Sequence, residues 1–347
     1  GAALGPVLGG LLLQYWWWGA VFLVNVPVVV CAVVAGILLI PESRNPVTRR
    51  WDAFSAAISI AGLGALVFAL KRIAEQISLD VIGLATGLAG LTLLAWFTQR
   101  QRRLRQPLLD LSLFEDRRFS AATLSVFVCF GCYTTLLYFA TQLLQLAGDY
   151  SPLQAGLALV PLALATGLGS VLAPKLAARW THRWAIGGSL AAFGMAFAGF
   201  AAVLASTPEP GAVTSVGLLI LAGLGTGVVM TLGADTIMSA ASAERAGEAG
   251  AIQETAFQLG AGLGIVLLGS ILAIAYRMLL PAFPGGATDS FAATLGFADS
   301  LGEGATHVRQ VAQHAFTQGL ATASLAAATA LIITAAVAAT RLRGTKH

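Results

Sequence analysis

Apolar residues in this chain come in long unbroken runs rather than in alternation or on one helical face. Ten runs stand out, at 1–13, 20–40, 53–70, 80–98, 119–145, 153–174, 184–205, 213–238, 249–275 and 314–340. All but the first have the roughly 17–25 residues that a helix needs to cross a hydrocarbon core about 30 Å thick. Glycine and proline inside the runs fit this reading, because membrane helices tolerate both. The pattern predicts an all-α polytopic membrane protein of ten helices. The linkers are short except 277–313, which is polar and glycine-rich. Within it, "TDSFAATLGFADSL" has helical patterning, and Val308 to Phe316 would extend the last helix; a plain flexible loop is the competing reading. The first run starts at residue 1 without Met, a basic leader or a cleavage pattern. It reads as part of a helix whose beginning is absent, not as a signal peptide.

Composition agrees. Hydrophobic residues make up 57% of the chain and charged residues only 10%, against about 25% charged in soluble domains. A pI near 9.2 raises nucleic acid as a partner, but the basic residues sit in short linkers between apolar runs. They report topology instead. With the 41–52 linker on the cytoplasmic side and strict alternation thereafter, sixteen of the twenty Lys and Arg fall inside. Only Lys71, Arg72, Arg277 and Arg309 fall outside. One missed helix would invert every later linker, so the asymmetry supports the spans and sets the orientation. Trp16, Trp17 and Trp18 then lie at the outer interface as an aromatic belt. Cys31, Cys129 and Cys132 lie in apolar runs and read as small buried hydrophobes, not a disulfide framework.

The opening stretch, G-A-A-L-G-P-V-L-G-G, places Gly1, Gly5 and Gly9 on one helix face, where a second helix can approach closely. Pro6 removes a backbone bond and bends the helix. With Gly10, "YWWWGAVFLVNVPV" and "PESR", the stretch resembles helices five and six of the major facilitator superfamily. The branch is the 14-helix drug:proton antiporters, in which a glycine–proline motif marks helix five. "PLLDLSLFEDRRFS" and "SPLQAGLALVP" are similar to the entries to helices nine and ten of that branch. "ERAGEAGAIQETAFQLGAGLGIVLLGSI" is similar to helix thirteen of its quaternary-ammonium and methyl-viologen exporters. The resemblance implies the superfamily fold, with the ten runs equivalent to helices 5–14. It divides the chain into the last two helices of an N-terminal bundle (1–40), two extra central helices with basic linkers (41–118) and a C-terminal six-helix bundle (119–347), with 277–313 extracellular. The resemblance implies a short helical hairpin there, partly covering the exit. The glycine face of 1–13 is expected against 153–174, near Gly167 and Gly169.

Candidate chemistry is sparse. Asp235 and Glu254 are the two carboxylates clearly within apolar runs, where an acid costs about 2.5–3.5 kcal/mol at a helix centre. They are nearly symmetric about the polar turn at Glu244–Arg245, so antiparallel helices would place them at similar depth. Facing one cavity, they would raise at least one pKa toward neutrality, as a proton carrier requires. By resemblance, Glu254 in "QETAFQLG" is the coupling residue; Gln258 stands where a second acid occurs in some relatives. A structural hydrogen bond for Glu254 and an interfacial helix-end acid for Asp235 are the plainer alternatives. Phe130, Tyr133 and Tyr138, with Gln142 and Gln258, are candidates for a lipophilic-cation pocket, since aromatic faces attract cations by about 0.5–2 kcal/mol. Packing or lipid contact is the alternative. Asn25 and Pro27 read as shaping the second helix. His307 and His314 have no metal-ligand constellation, and G-L-G-T-G at 223–227 lacks a Walker lysine, so no metal or cofactor is expected.

The resulting expectation is a transporter, not an enzyme. It is a proton-coupled multidrug efflux antiporter of a bacterial cytoplasmic membrane, with lipophilic cations, protons and the bilayer as partners and no nucleic acid. Export of an endogenous antibiotic, siderophore or lipid by the same fold, or an inert truncated membrane protein, are the alternatives.

Overall fold

A computed structural model describes residues 4–39, 52–76, 81–104, 107–206, 215–242, 245–281, 290–301 and 305–342. Gly1 and "PESR" lie outside the described residues. The described residues are almost entirely helical. The helices are α1 (Leu4–Tyr15), α2 (Ala20–Leu23), α3 (Asn25–Leu39), α4 (Ala53–Gln76), α5 (Val81–Arg103), α6 (Arg117–Gln142), α7 (Pro152–Ala158), α8 (Val160–Ser206), α9 (Val216–Ala240), α10 (Ala246–Leu279), α11 (Phe291–Asp299) and α12 (Ala305–Arg341). A 3₁₀ turn spans Leu111–Glu115, and a π turn over Leu143–Ala147 ends α6. Eight helical stretches among the described residues are long and apolar enough to cross a membrane. One of them, Pro152–Ser206, is interrupted at Thr181, whose φ of 64° and ψ of 152° break the helix. With that interruption and the short α1, the ten expected runs are accounted for.

The chain turns back at Thr181. Gly223 of α9 packs on Leu162 and Ala165, and Gly225 on Ser189 and Phe193. In a straight helix residues 162 and 193 would lie about 46 Å apart at 1.5 Å per residue. They can meet the same turn of α9 only if 160–180 and 182–206 are two arms. Contact registers also give directions. Residues 162 and 166 meet 223 and 227 in parallel, whereas 193 and 199 meet 225 and 218 in antiparallel. Gly131 and Phe127 of α6 meet Gly264 and Gly260 of α10 in parallel. These registers match the alternation read from the linkers.

Lipid offers no hydrophobic gain for joining apolar helices, so close packing and hydrogen bonds do the work. The main core gathers Phe193, Phe197 and Phe200 of the returning α8 arm with Leu162 and Leu219. Several buried hydroxyls are satisfied on their own helices: Thr226 donates to the Ala222 carbonyl at 2.8 Å and Thr135 to that of Gly131 at 2.7 Å. A second, smaller core sits at the arginine-rich end. There Leu113, Phe119, Ala122, Val126, Ile237, Ala249 and Ile252 close over one another.

Two outlying parts complete the fold. Helices α4 and α5 pair through Gly62 and Gly90, and α4 also packs on α10. At the opposite end α11 folds onto α12, with Phe291 stacked on Phe316 at 4.4 Å and the Tyr276 hydroxyl donating to Thr294 at 2.7 Å. Linker 277–313 therefore contains a packed helix, and α12 extends through Val308–Phe316. Near the chain start, the break between α2 and α3 falls at Val24, and the Asn25 amide donates to the Val21 carbonyl at 3.3 Å.

Candidate functional site

The α6–α10 crossing brings the sequence candidates together. Gly131, Gly260 and Gly264 let the two backbones touch: a Cβ on Gly264 would lie 2.6 Å from the Gly131 carbonyl oxygen. One turn away the Phe257 ring meets Phe130 at 5.0 Å, and Phe130 stacks on Tyr133 at 6.3 Å. Phe130 and Phe257 are half-buried, whereas Tyr133 is buried and backs the pair. Beside them Glu254 and Gln258 are exposed on the next turn of α10, and the Gln258 amide donates to the Glu254 carboxylate at 2.8 Å. Glu254, Phe257, Gln258 and Phe130 thus form a patch of one acid, one amide and two aromatic faces, about 12 Å along α10 from its start.

Tyr138 and Gln142 lie outside that patch. They sit about 12 and 18 Å beyond Phe130 along α6. Tyr138 is exposed and meets the Phe139 ring at 6.0 Å. The five-residue spacing from Tyr133 turns its side chain off the Phe130 face.

Asp235 also occupies different surroundings from Glu254. Its carboxylate lies 3.2 Å from His182 Nε2, and its side chain is 65% exposed. The two residues line an open cleft of about 1280 Å³ between the α8 bend, the start of α6 and the end of α9; Arg118, Arg179 and Asp116 line it too, but Glu254 does not. Asp235 and Glu254 therefore do not share this cleft, and the condition for their mutual repulsion is not met there. Symmetry about the 244–245 turn constrains depth through the helical rise. It leaves direction free, because each residue rotates about 100°. Helix α9 lies between the arms of α8, and residue 235 points to the bend beside His182.

The glycine motif is only partly as expected. Gly10 is buried, and a Cβ there would lie 2.6 Å from the Pro152 carbonyl oxygen. Helix α1 therefore meets α7, at the start of the expected segment. Gly5 and Gly9 have no neighbour within 4 Å of an added Cβ, and neither does Gly167; Gly169 packs on Leu224 of α9 instead. Pro6 lies within α1. Gly1 lies outside the described residues.

Sequence reasoning passed over Phe257, His182 and Arg245. An aromatic in an apolar run carries no mark of its neighbour, and a lone histidine between arginines in a short linker carries none of its partner. Among the described residues no group of three His, Cys, Asp or Glu could hold a metal ion.

Residues 1–265 match the Major Facilitator Superfamily. The chain is 33% identical over 353 residues to the Multidrug efflux pump LfrA of Mycolicibacterium smegmatis, covering 99% of this chain and 69% of LfrA. It is 32% identical over 273 residues to the Methyl viologen resistance protein SmvA of Salmonella typhimurium, covering 78% of this chain and 54% of that protein. Identity is 33% over 275 residues to the Tetracenomycin C resistance and export protein of Streptomyces glaucescens, covering 78% and 50%. The chain thus spans about two thirds of LfrA and about half of the other two.

Proposed function

Because the chain belongs to the major facilitator superfamily, we propose that it is the larger part of a proton-coupled efflux antiporter for lipophilic cations. Glu254 is its proton carrier. Residues 1–40 contribute to one bundle, 41–118 form an inserted pair and 119–347 form the second bundle. The arginine-rich end faces the cytoplasm of a bacterial-type cell.

The observation that carries this reading is the Glu254 patch. The acid is exposed on α10 rather than sealed into the core, as a carboxylate that meets cargo has to be. Its partner, Gln258, serves both protonation states: the amide N–H donates to a carboxylate, and its carbonyl, after rotation, accepts from a carboxylic acid. Phe130 and Phe257 present ring faces worth about 0.5–2 kcal/mol each to a desolvated cation. Deprotonated Glu254 favours cation entry from inside; protonation from outside favours release, and alternating access separates the two events. One proton exchanged for one monovalent cation moves no net charge. Only the pH gradient then drives transport, at about 1.4 kcal/mol per pH unit. Asp235 acts at the α8 bend and takes no part in cargo binding. Tyr138 and Gln142 contact cargo further along the path.

LfrA and SmvA, named as a multidrug efflux pump and a methyl viologen resistance protein, support drug-like cations as cargo. The Tetracenomycin C resistance and export protein supports a second reading, export of an endogenous antibiotic by the same fold. Everted vesicles carrying the protein expressed from its full reading frame decide between them. Ethidium accumulation with proton release supports the first, with Glu254→Gln abolishing it while leaving the protein in the membrane. Movement of neutral or anionic cargo alone rejects it, and unchanged transport by Glu254→Gln removes the acid from the mechanism.

A further inference from the structure

The arginine-rich end carries a chain of contacts that the α6–α10 patch does not use. Arg100 of α5 donates to Ser55 at 3.0 Å and to Asp52 at 3.1 Å, which closes the α4–α5 pair. The next residue, Gln101, is only 2% exposed, and its side-chain carbonyl accepts from the backbone N–H groups of Leu108 and Leu109 at 2.7 and 3.2 Å. Residues 107–116 are thereby folded back as a strap. Leu113 of the strap is buried in the smaller core with Ala249 and Ile252 of α10, and Leu109 packs against it. Arg245, which immediately precedes α10, grips the strap. It donates to Asp110 at 2.5 Å and to Ser112 at 3.1 Å, and it reaches Glu248 in the first turn of α10 at 3.4 Å. Asp110 itself caps the strap's 3₁₀ turn by accepting from the Ser112 N–H at 2.9 Å.

We propose that Arg245 is a positioning residue: by joining strap 107–116 to the first turn of α10, it makes the α4–α5 pair and the acid-bearing helix move as one body. An inserted helix pair packed only on lipid would drift relative to the bundle during each cycle. Here it touches α10 twice, directly along α4 and through the strap. Glu254 lies nine residues beyond Arg245, so a tilt of the first turn is carried to the acid by the continuous backbone ladder of α10. The transport consequence rests on Glu254 as the proton carrier; the mechanical joint does not.

The test uses the full-length protein with Cys31→Ser, leaving the buried Cys129 and Cys132 in place, and spin labels at exposed Thr98→Cys of α5 and Ala251→Cys of α10. Arg245→Ala and Asp110→Asn are compared with Arg245→Lys. Asparagine retains the cap and removes the charge; lysine retains the charge. The first two are expected to broaden the inter-label distance distribution. They should also lower the maximal ethidium efflux rate about two- to thirtyfold, with half-saturating ethidium unchanged, and Arg245→Lys should restore most of both. A distribution that stays narrow in Arg245→Ala overturns the joint. A broadened distribution with unaltered maximal rate overturns the positioning role. If the unmodified protein moves ethidium with no response to a pH gradient, the antiport reading fails, and the distance measurement still decides the joint.

Discussion

Replacing Gly264 by alanine tests the α6–α10 crossing directly, because Gly262 on the same helix is a matched control. A Cβ at 264 would lie 2.6–2.7 Å from the carbonyl oxygen, carbonyl carbon and Cα of Gly131, all backbone atoms, whereas one at 262 has nothing within 4 Å. Ordinary contact begins at 3.4 Å, so Gly264→Ala forces α6 and α10 apart by about 0.7–0.8 Å. Both substitutions gain about 1 kcal/mol of helix propensity. Overpacking at 264 costs about 1–3 kcal/mol against that gain. The difference between the two variants is therefore about 1–3 kcal/mol in favour of Gly262→Ala, read as resistance to thermal inactivation in detergent at matched protein load. The Phe130–Phe257 contact spans the same crossing, so Gly264→Ala should also raise the half-saturating ethidium concentration in vesicles. Equal stability of the two variants would refute the inference that these backbones touch.

Three further outcomes follow from other contacts. Gly10→Ala would place a Cβ 2.6 Å from the Pro152 carbonyl oxygen, whereas Gly9→Ala meets nothing within 4 Å; the first should lose about 1–3 kcal/mol of stability relative to the second, measured by thermal inactivation. Gln101→Met leaves the Leu108 and Leu109 N–H groups without their acceptor, at a cost below the about 1–3 kcal/mol of a fully buried donor because Leu108 is exposed and Leu109 half-buried; amide exchange at 108 and 109 should accelerate, and unchanged exchange would show that the strap is held otherwise. The Ser55 hydroxyl, the Ser55 N–H and the neighbouring Arg100 together hold the Asp52 carboxyl below the ordinary value of 3.8. A carboxyl depressed in the folded state stabilises above its unfolded pKa and loses that contribution as pH falls through the folded value. Amide exchange at the start of α4 should therefore rise on acidification below about pH 4, and Asp52→Asn should flatten that dependence.

Much of the fold was legible because the bilayer makes composition and length nearly sufficient. A helix is the one way for a single apolar segment to satisfy its backbone in lipid, so each run had to be one, and short linkers forced alternation. The contact registers of α6, α8, α9 and α10 agree with it. Azimuth was not legible. Lipid-facing and core-facing positions in these helices are equally apolar, so no hydrophobic stripe shows which way residue 235 or 254 points. Partner identity was hidden for the same reason: the four-residue glycine repeat showed that a close approach was possible, but Gly5 and Gly9 make none, and it is Gly10, outside the repeat, that meets Pro152. Gln101 was invisible in another way. It sits in the run "TQRQRR" and looks like a solvated helix end, and its burial arises only once Leu109 and Leu113 dock.

Among the long helices described between residues 117 and 341, α10 is the least enclosed, and it is the one that carries Glu254; under the proposed function the two facts are connected. In α10 the buried positions are few: Ala249, Ile252, Ala256, Gly260, Leu268 and Tyr276. They are mostly small and recur at three- to four-residue spacing through Gly260, so one narrow face holds the helix to α6 while the opposite face stays open. A carboxylate placed on the packed face would need a permanent partner, because an unpaired buried charge is strongly destabilising. Permanent pairing would prevent it from exchanging protons. On the open face Glu254 has only the neutral amide of Gln258 at hydrogen-bond distance among the described residues, which is the setting the proposed function asks of it. The tilt of α10 is then set by the glycine crossing with α6, by α4 and α12 along its length and, at its first turn, by the grip of Arg245 on the strap.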